Sequence, residues 1–169
     1  MLIEKLKEKF GERILESQAV HGEETIVLDR EQASEILRVL HDDPEFSFEM
    51  LVDETAVDYP ERTPRFDVVY HLNSLSKNHR LSVKVRVGTA AGDDAWAHSV
   101  YPIWKSADWL ERECFDMFGI EFRAHPDLRR ILLYDSFVGY PLRKNYPYNK
   151  RQPIVEEVDP VASPRLPPR

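Results

Sequence analysis

Two neighbouring segments of this 169-residue chain alternate between apolar and polar side chains, and this pattern constrains the fold more than any other feature. The first runs from Phe66 to Leu72 and the second from Leu81 to Val87, with a short polar stretch, residues 73–79, between them. Alternation with a period of two is typical of a strand that has one buried face. A loop of this length can join antiparallel strands but cannot form the crossover that parallel strands require. The two segments therefore predict an antiparallel hairpin.

Other segments carry apolar residues at helical spacing, which predicts three helices, at residues 2–10, around the apolar stripe 33–40 and at 107–118. Gly119 is well placed to end the third helix. Asp29, three residues before Gln32, resembles a capping box, and Ser106 is expected to cap the third helix.

Further strands are predicted at residues 14–20, 25–28 and 50–57. Because the clearest strands are consecutive, a parallel βαβ topology is disfavoured. We expect a two-layer α+β fold in which helices pack on a mixed, largely antiparallel sheet, followed by an extended C-terminal arm.

Charge and proline are unevenly distributed along the chain. Residues 1–120 carry 14 basic and 24 acidic side chains, whereas residues 121–169 carry 9 basic and 6 acidic ones. Seven of the 12 prolines lie at or after Pro141, where they oppose helix and sheet formation. We therefore predict a compact body at 1–120, a basic and aromatic interface loop region at 121–149, and a proline-rich tail at 150–169 that is disordered without a partner.

The composition excludes several classes of function. A net charge of −7 argues against general binding to nucleic acids or anionic membranes. The single cysteine, Cys114, excludes an internal disulfide and an iron–sulfur cluster held by this chain alone, and is expected to be a small buried hydrophobe. The six glycines never cluster into a phosphate-binding loop, and the six histidines lack zinc-binding spacing. No apolar stretch approaches 18 residues, so we expect a soluble protein of a reducing compartment.

One short helix combines several charges with large apolar side chains. Its charged residues are Glu111, Arg112, Glu113 and Asp116. Paired carboxylates could act in acid–base chemistry, the charges could simply form a solvated helix face, or they could form a buried network with cations downstream.

The segment after this helix is rich in arginine and tyrosine. That mixture is typical of protein interfaces, which is the favoured interpretation. A plain structural loop and a surface that stacks on single-stranded RNA are the alternatives.

The run ADWLERECFDMFGIEFRAHPDLRRILLYDSFVGYPLRKNYP resembles the signature region of the 30-kDa (C) subunit family of proton-pumping NADH:quinone oxidoreductase, respiratory complex I. The resemblance rests on the Glu-Arg-Glu triplet at 111–113, on Asp116 and His125, on the Leu-Arg-Arg-Ile-Leu run at 128–132, and on the Pro-Leu-Arg-Lys run at 141–144. The predicted central hairpin is also similar to that of the family.

The chain departs from the family pattern at three positions. Tyr140 stands where the family usually has histidine, Asn145 where it usually has aspartate, and Cys114 where it more often has an aliphatic residue.

This resemblance implies an accessory subunit with no cofactor and no catalytic residue of its own, with FMN and iron–sulfur clusters held by partner subunits. It implies partners among the peripheral-arm subunits, chiefly the quinone-site (D) subunit and cluster-bearing neighbours. It also implies a peripheral position on the cytoplasmic side of the bacterial inner membrane, with no nucleic acid bound and no bilayer insertion. The equivalent subunit of a membrane-bound hydrogenase or ferredoxin-dependent dehydrogenase, and an RNA-binding module, are the alternative functions.

We further expect the helix charges to pair with the downstream cations Arg129, Arg130 and Arg143 and so to anchor the interface loop. The residues of this expected network are Glu111, Arg112, Glu113, Asp116, His125, Arg129, Arg130, Arg143 and Lys144.

Overall fold

The computed structural model describes residues 2–153 of the chain, which form three α-helices, one short 3₁₀ helix (Gly11–Arg13) and seven strands. The α-helices are α1 (Leu2–Phe10), α2 (Arg30–Asp42) and α3 (Ala107–Phe118). The strands are β1 (Ile14–Val20), β2 (Glu23–Asp29), β3 (Met50–Asp58), β4 (Phe66–Ser74), β5 (His79–Val87), β6 (Trp96–His98) and β7 (Glu121–Arg123). The predicted tail lies almost entirely outside the described residues.

Five strands form one mixed sheet in the order β1-β2-β5-β4-β3. All neighbours run antiparallel except β2 and β5, which are parallel. The hairpin β4–β5 has the predicted position, and the α+β class is confirmed. The parallel pair β6–β7 was not predicted, because two three-residue strands are too short to show a period.

The core lies between one face of the sheet and the three helices. Inward-facing residues of β2, β4 and β5 pack there against Leu6 and Phe10 of α1 and against the apolar stripe of α2. Burial of this alternating set makes the register of the central strands specific, since a shift of one residue would expose every apolar side chain.

Two predicted caps differ in detail. Asp29 accepts a hydrogen bond from the Glu31 N–H at 2.9 Å, but Gln32 turns away and accepts from Arg13, so the reciprocal capping box does not form. Ser106 precedes α3 but makes no capping hydrogen bond; its hydroxyl donates to the Leu51 carbonyl of β3 at 3.2 Å. The Cys114 thiol reaches the Glu54 carbonyl of the same strand at 3.8 Å. Helix α3 therefore covers carbonyl groups of the edge strand β3.

Candidate functional site

Helix α3 ends at a glycine that brings a later part of the chain close to it. Gly119 adopts a left-handed conformation with φ of +71°, and its N–H donates to the Phe115 carbonyl at 2.8 Å. A Cβ atom at this position would overlap the ring of Tyr140. Glycine is therefore required both for the backbone turn and for the close approach of Tyr140.

Asp116 organises the segment that follows α3. Its side chain is fully buried, and Oδ2 accepts hydrogen bonds from three consecutive backbone N–H groups, those of Ile131, Leu132 and Leu133, at 3.1, 2.8 and 2.9 Å. Oδ1 accepts from Arg130 Nη1 at 2.6 Å. Burial opposes the charge of Asp116, but these donors outweigh it and lower the pKa of the carboxyl below its usual range.

Arg130 and Arg112 extend this contact to the backbone carbonyls of the same segment. Arg130 also lies near the carbonyls of Phe137 and Gly139, at 3.3 and 3.4 Å. Arg112 donates to the carbonyls of Arg129 and Arg130, both at 3.2 Å. Residues 124–153 form neither helix nor strand, so these side chains replace the hydrogen bonds that regular structure would supply.

A second buried ion pair holds the segment further along. Asp58 and Arg65 flank the β3–β4 connection, and two bonds of 2.7 Å join them. Asp58 also accepts from the Lys144 backbone N–H at 2.7 Å, and Arg65 donates to Asn145 Oδ1 at 2.9 Å. Burial opposes the charge of Asp58, but the bonds from Arg65 and Lys144 lower its pKa below the usual range. We refer to the contacts of Asp116 and Asp58 with residues 130–145 as the clasp.

Sequence reasoning missed the Asp58–Arg65 pair. Asp58 ends β3 and Arg65 directly precedes β4, 86 and 80 positions from their partners in the segment that they hold. Nothing local distinguishes them from the exposed charges beside them. The one available sequence signal was the alternation along β3, which places Asp58 on the same buried face as Glu54 and Ala56.

Several residues of the expected network have other partners. Arg129 pairs with Asp127 at 2.8 Å, and both side chains are exposed. Arg143 donates to the Phe118 carbonyl at 2.5 Å, and its guanidinium lies over the rings of Phe66 and Tyr140.

Among the described residues, Glu113 lacks the expected ion pair, and Lys144 enters the network through its backbone N–H alone. The Glu113 side chain is exposed, and neither it nor the Lys144 side chain forms an ion pair within residues 2–153. Of the three expected cation partners, only Arg130 meets an α3 carboxylate, that of the buried Asp116.

Glu111 and His125 form a separate buried contact, in which His125 Nε2 lies 3.9 Å from Glu111 Oε2. Glu111 Oε1 accepts from the Val100 N–H at 2.6 Å, while Oε2 makes no hydrogen bond to any described residue. His125 Nδ1 accepts from the Asp127 N–H, so its proton lies on Nε2, which donates to the Asp108 carbonyl at 3.2 Å. Burial raises the pKa of Glu111 to about 7.

A second buried carboxyl group, Glu54, was also missed. It is 3% exposed, neither of its oxygens makes a hydrogen bond within the described chain, and it lies opposite Tyr70 in the β3–β4 register. Burial, with the nearby carboxylates of Glu111 and Asp53, raises the pKa of Glu54 well above its usual range.

The clasp leaves large apolar side chains exposed around it. They are Trp109 on α3, and Leu132, Tyr134, Val138, Leu142 and Tyr148 on the following segment. We name this set the apolar rim. Trp109 is 66% exposed and Leu132 is 62% exposed. A surface rich in exposed aromatic and apolar groups beside arginines is typical of a protein–protein interface.

Within residues 2–153, no group of three or more His, Cys, Asp or Glu side chains is arranged to hold a metal ion. Cys114 is buried and unpaired, as predicted, and burial raises the pKa of its thiol.

Comparisons with known proteins agree on one family. Residues 26–152 match the family described as the 30-kDa subunit of respiratory-chain NADH dehydrogenase. The C subunit of NADH-quinone oxidoreductase from Citrifermentans bemidjiense is 47% identical over 143 residues, which are 85% of this chain and 86% of that protein. Its counterpart of the same name from Caulobacter vibrioides is 50% identical over 134 residues, which are 79% of this chain and 66% of that protein.

Solved structures give the same result for the fold. A trypsin-resistant fragment of Nqo5 is 33% identical, with a TM-score of 0.65, and the match covers 75% of this chain and 98% of the fragment. A chain of an archaeal membrane-bound sulfane sulfur reductase is 22% identical, with a TM-score of 0.73, and the match covers 88% of this chain and 85% of that one. Because the sulfane sulfur reductase chain is only 22% identical, this similarity supports the fold alone.

Proposed function

Because this chain belongs to the family of the 30-kDa subunit of respiratory-chain NADH dehydrogenase, we propose that it acts as the 30-kDa subunit of an NADH-quinone oxidoreductase, in the peripheral arm of respiratory complex I. In this role it is a scaffold that carries no catalytic residue and no cofactor. The transfer of electrons from NADH to quinone, through FMN and iron–sulfur clusters, then takes place in partner subunits.

The main support for the scaffold role is the clasp. A fully buried carboxylate on α3 and a buried ion pair at the β3–β4 connection fix a segment that has no regular structure. Fixing each residue of such a segment costs about 1–2 kcal/mol of conformational entropy. We infer that this segment is held in one conformation because it presents the apolar rim to a partner.

The composition supports the absence of a cofactor. One cysteine cannot ligate an iron–sulfur cluster, and no glycine-rich loop is present in the sequence to hold a nucleotide. We propose that the partners are the quinone-site subunit and its cluster-bearing neighbours, and that the chain lies on the cytoplasmic side of the bacterial inner membrane. None of the helices within residues 2–153 combines the length and the apolar character that a membrane crossing requires.

The test is to make the apolar rim polar without disturbing the core. We expect Trp109→Ser combined with Leu132→Ser to leave the melting temperature of the isolated chain almost unchanged, because both side chains are exposed. The same change should lower the amount of complex assembled with the quinone-site subunit, measured on native gels, by at least about tenfold, since buried aromatic anchors dominate interface energies.

The matched control is Leu75→Ser, which changes a residue 70% exposed in the β4–β5 loop. It should assemble normally. Full assembly of the double variant with lost NADH:quinone turnover would show instead a catalytic role for this surface. A gel shift with single-stranded RNA and no co-purification with the quinone-site subunit would favour the RNA-binding alternative.

A further inference from the structure

The face of the large sheet opposite the core contains a groove that the scaffold role does not use. All three helices send buried side chains into the core on the other face. On the outer face, a groove of about 420 Å³ lies between β1, β2, β5 and the residues that follow β3. Its charged walls are Glu16, Arg62, Asp67, Lys84 and Arg86.

The groove floor includes one apolar patch, at Val27 of β2. Lys84 lies opposite Val27 on β2 and Val69 on β4 in the strand register. Both valines are buried, at 7% and 6% exposed, although neither belongs to the core. The methylene chain of a lysine covers such an apolar surface while its ammonium group stays at the solvent-exposed opening.

The two carboxylates of the groove already have partners. Arg62 forms an ion pair with Asp67, which is 3% exposed, and also lies 4.2 Å over the ring of Tyr59. Arg86 forms an ion pair with Glu16 at 2.8 Å. The groove therefore holds three cations and two anions.

The remaining positive charge has no acceptor among residues 2–153. The half-buried Lys84 side chain makes no hydrogen bond or ion pair within this described part of the chain. The Nε of Arg86 is buried and also has no hydrogen-bond partner there. An unsatisfied donor in a partly buried cationic groove is unfavourable until an anionic acceptor arrives.

We propose that this groove is a second docking site, in which Lys84 and Arg86 receive a carboxylate side chain from an acidic segment of a neighbouring subunit. The proposal rests on the proposed function, since it requires assembly. Charge favours this occupant because the groove carries a net positive charge on a chain whose net charge is −7. Its volume exceeds that of one carboxylate, so a polypeptide segment lying over Val27 fills it better than a small anion does.

The direct test is zero-length cross-linking of the assembled complex with a carbodiimide, which joins an amine only to a carboxylate in contact with it. We expect mass spectrometry to find Lys84 linked to an Asp or Glu of another subunit. Acetylation supplies a second readout on the unaltered chain. Lys84 should react at least about tenfold more slowly in the complex than in the isolated chain, because a docked carboxylate desolvates and pairs it.

Lys77 is the internal control for both measurements. It is exposed in the β4–β5 loop, and its reactivity should stay the same in the complex. Lys84→Glu should lower the amount of assembled complex about tenfold, whereas Lys77→Glu should not.

The outcomes separate the two proposals. If the wild-type chain does not enter the complex, the proposed function fails and the docking site fails with it. If the chain enters normally while Lys84 reacts as fast as in the isolated chain and forms no cross-link, only the docking site is wrong. Cross-linking of Lys84 to Glu156, Glu157 or Asp159 of the same chain would overturn the assignment to a neighbouring subunit.

Discussion

At the scale of single residues, the most unusual group is the Glu54 carboxyl. It is buried beside Tyr70 with no hydrogen bond from the described residues to either oxygen, and Glu111 lies near it in the same interior. Ionising both carboxyl groups in this buried environment would cost much free energy. The folded chain therefore retains protons that the unfolded chain releases.

This arrangement makes stability depend on pH. Because the folded pKa of Glu54 lies above its unfolded value, the free energy of unfolding should fall as the pH rises above about 4.5. Glu54→Gln removes the ionisable group but keeps its shape. We expect this variant to be more stable than the wild type at pH 8 and no more stable at pH 4, in urea unfolding at both values.

The control for this prediction is Glu61→Gln, which neutralises an exposed carboxyl in the connection after β3. It should have no such pH-dependent effect. A loss of stability for Glu54→Gln at pH 8 would show that the ionised carboxylate has a stabilising partner.

At the scale of elements, the end of α3 decides where the following segment lies. Gly119 turns the chain, and the Tyr140 ring packs against the space where a Cβ would be. Tyr140 in turn lies under the guanidinium groups of Arg130 and Arg143, at 5.6 and 4.7 Å. The departure of Tyr140 from the family's usual histidine therefore has a structural counterpart, a flat ring between two cations and a glycine.

Gly119→Ala should be more costly than an ordinary glycine substitution. A left-handed backbone costs a non-glycine residue about 1–2 kcal/mol, and here the new methyl group would also displace Tyr140. Gly22→Ala is the matched control, because Gly22 also has a positive φ but has open space around it. We expect the Gly119 variant to lose more free energy of unfolding than the control.

Combining Gly119→Ala with Tyr140→Ala tests the cause. If the clash is responsible, the double variant should be more stable than the sum of the single effects predicts. Additive effects would show that Tyr140 moves aside freely.

At the scale of the whole molecule, the clasp joins parts of the chain that are far apart in sequence. Asp116 lies 14–17 residues from its partners, and Asp58 lies 86 residues from Lys144. Both carboxylates accept hydrogen bonds from backbone N–H groups, so they fix the path of the segment without a helix or strand.

Asp116→Asn should release this segment. The substitution removes the charge that faces Arg130 and three backbone donors, and breaking a buried pair of this kind costs about 3–5 kcal/mol. Hydrogen exchange should show faster exchange at Ile131, Leu132 and Leu133, with the sheet amides less affected. Glu113→Gln, an exposed change on the same helix, is the control and should alter neither quantity.

Equal losses in the two variants would contradict the clasp. Loss of protection throughout the sheet in Asp116→Asn would instead make the segment an integral part of the core.

Local sequence patterns predicted the three α-helices and the five strands of the large sheet. The period-two alternation of β4 and β5 and the helical stripes of α2 and α3 are local patterns, and each forms the predicted element because its apolar residues fall on one face. The family motif likewise located Asp116 and Arg130, which the structure brings together at 2.6 Å. The division into body, interface loop and tail remains a proposal.

Which charged side chains are buried depends on contacts between distant parts of the chain. Glu111 and Glu113 are two positions apart in one motif, yet the turn of the helix buries the first and exposes the second. Glu54 and Asp58 resemble the exposed charges around them, and only the packing of α3 and the later segment on β3 makes them interior groups. Local periodicity fixes which face a side chain occupies, but burial and ion pairing depend on what distant parts of the chain cover that face.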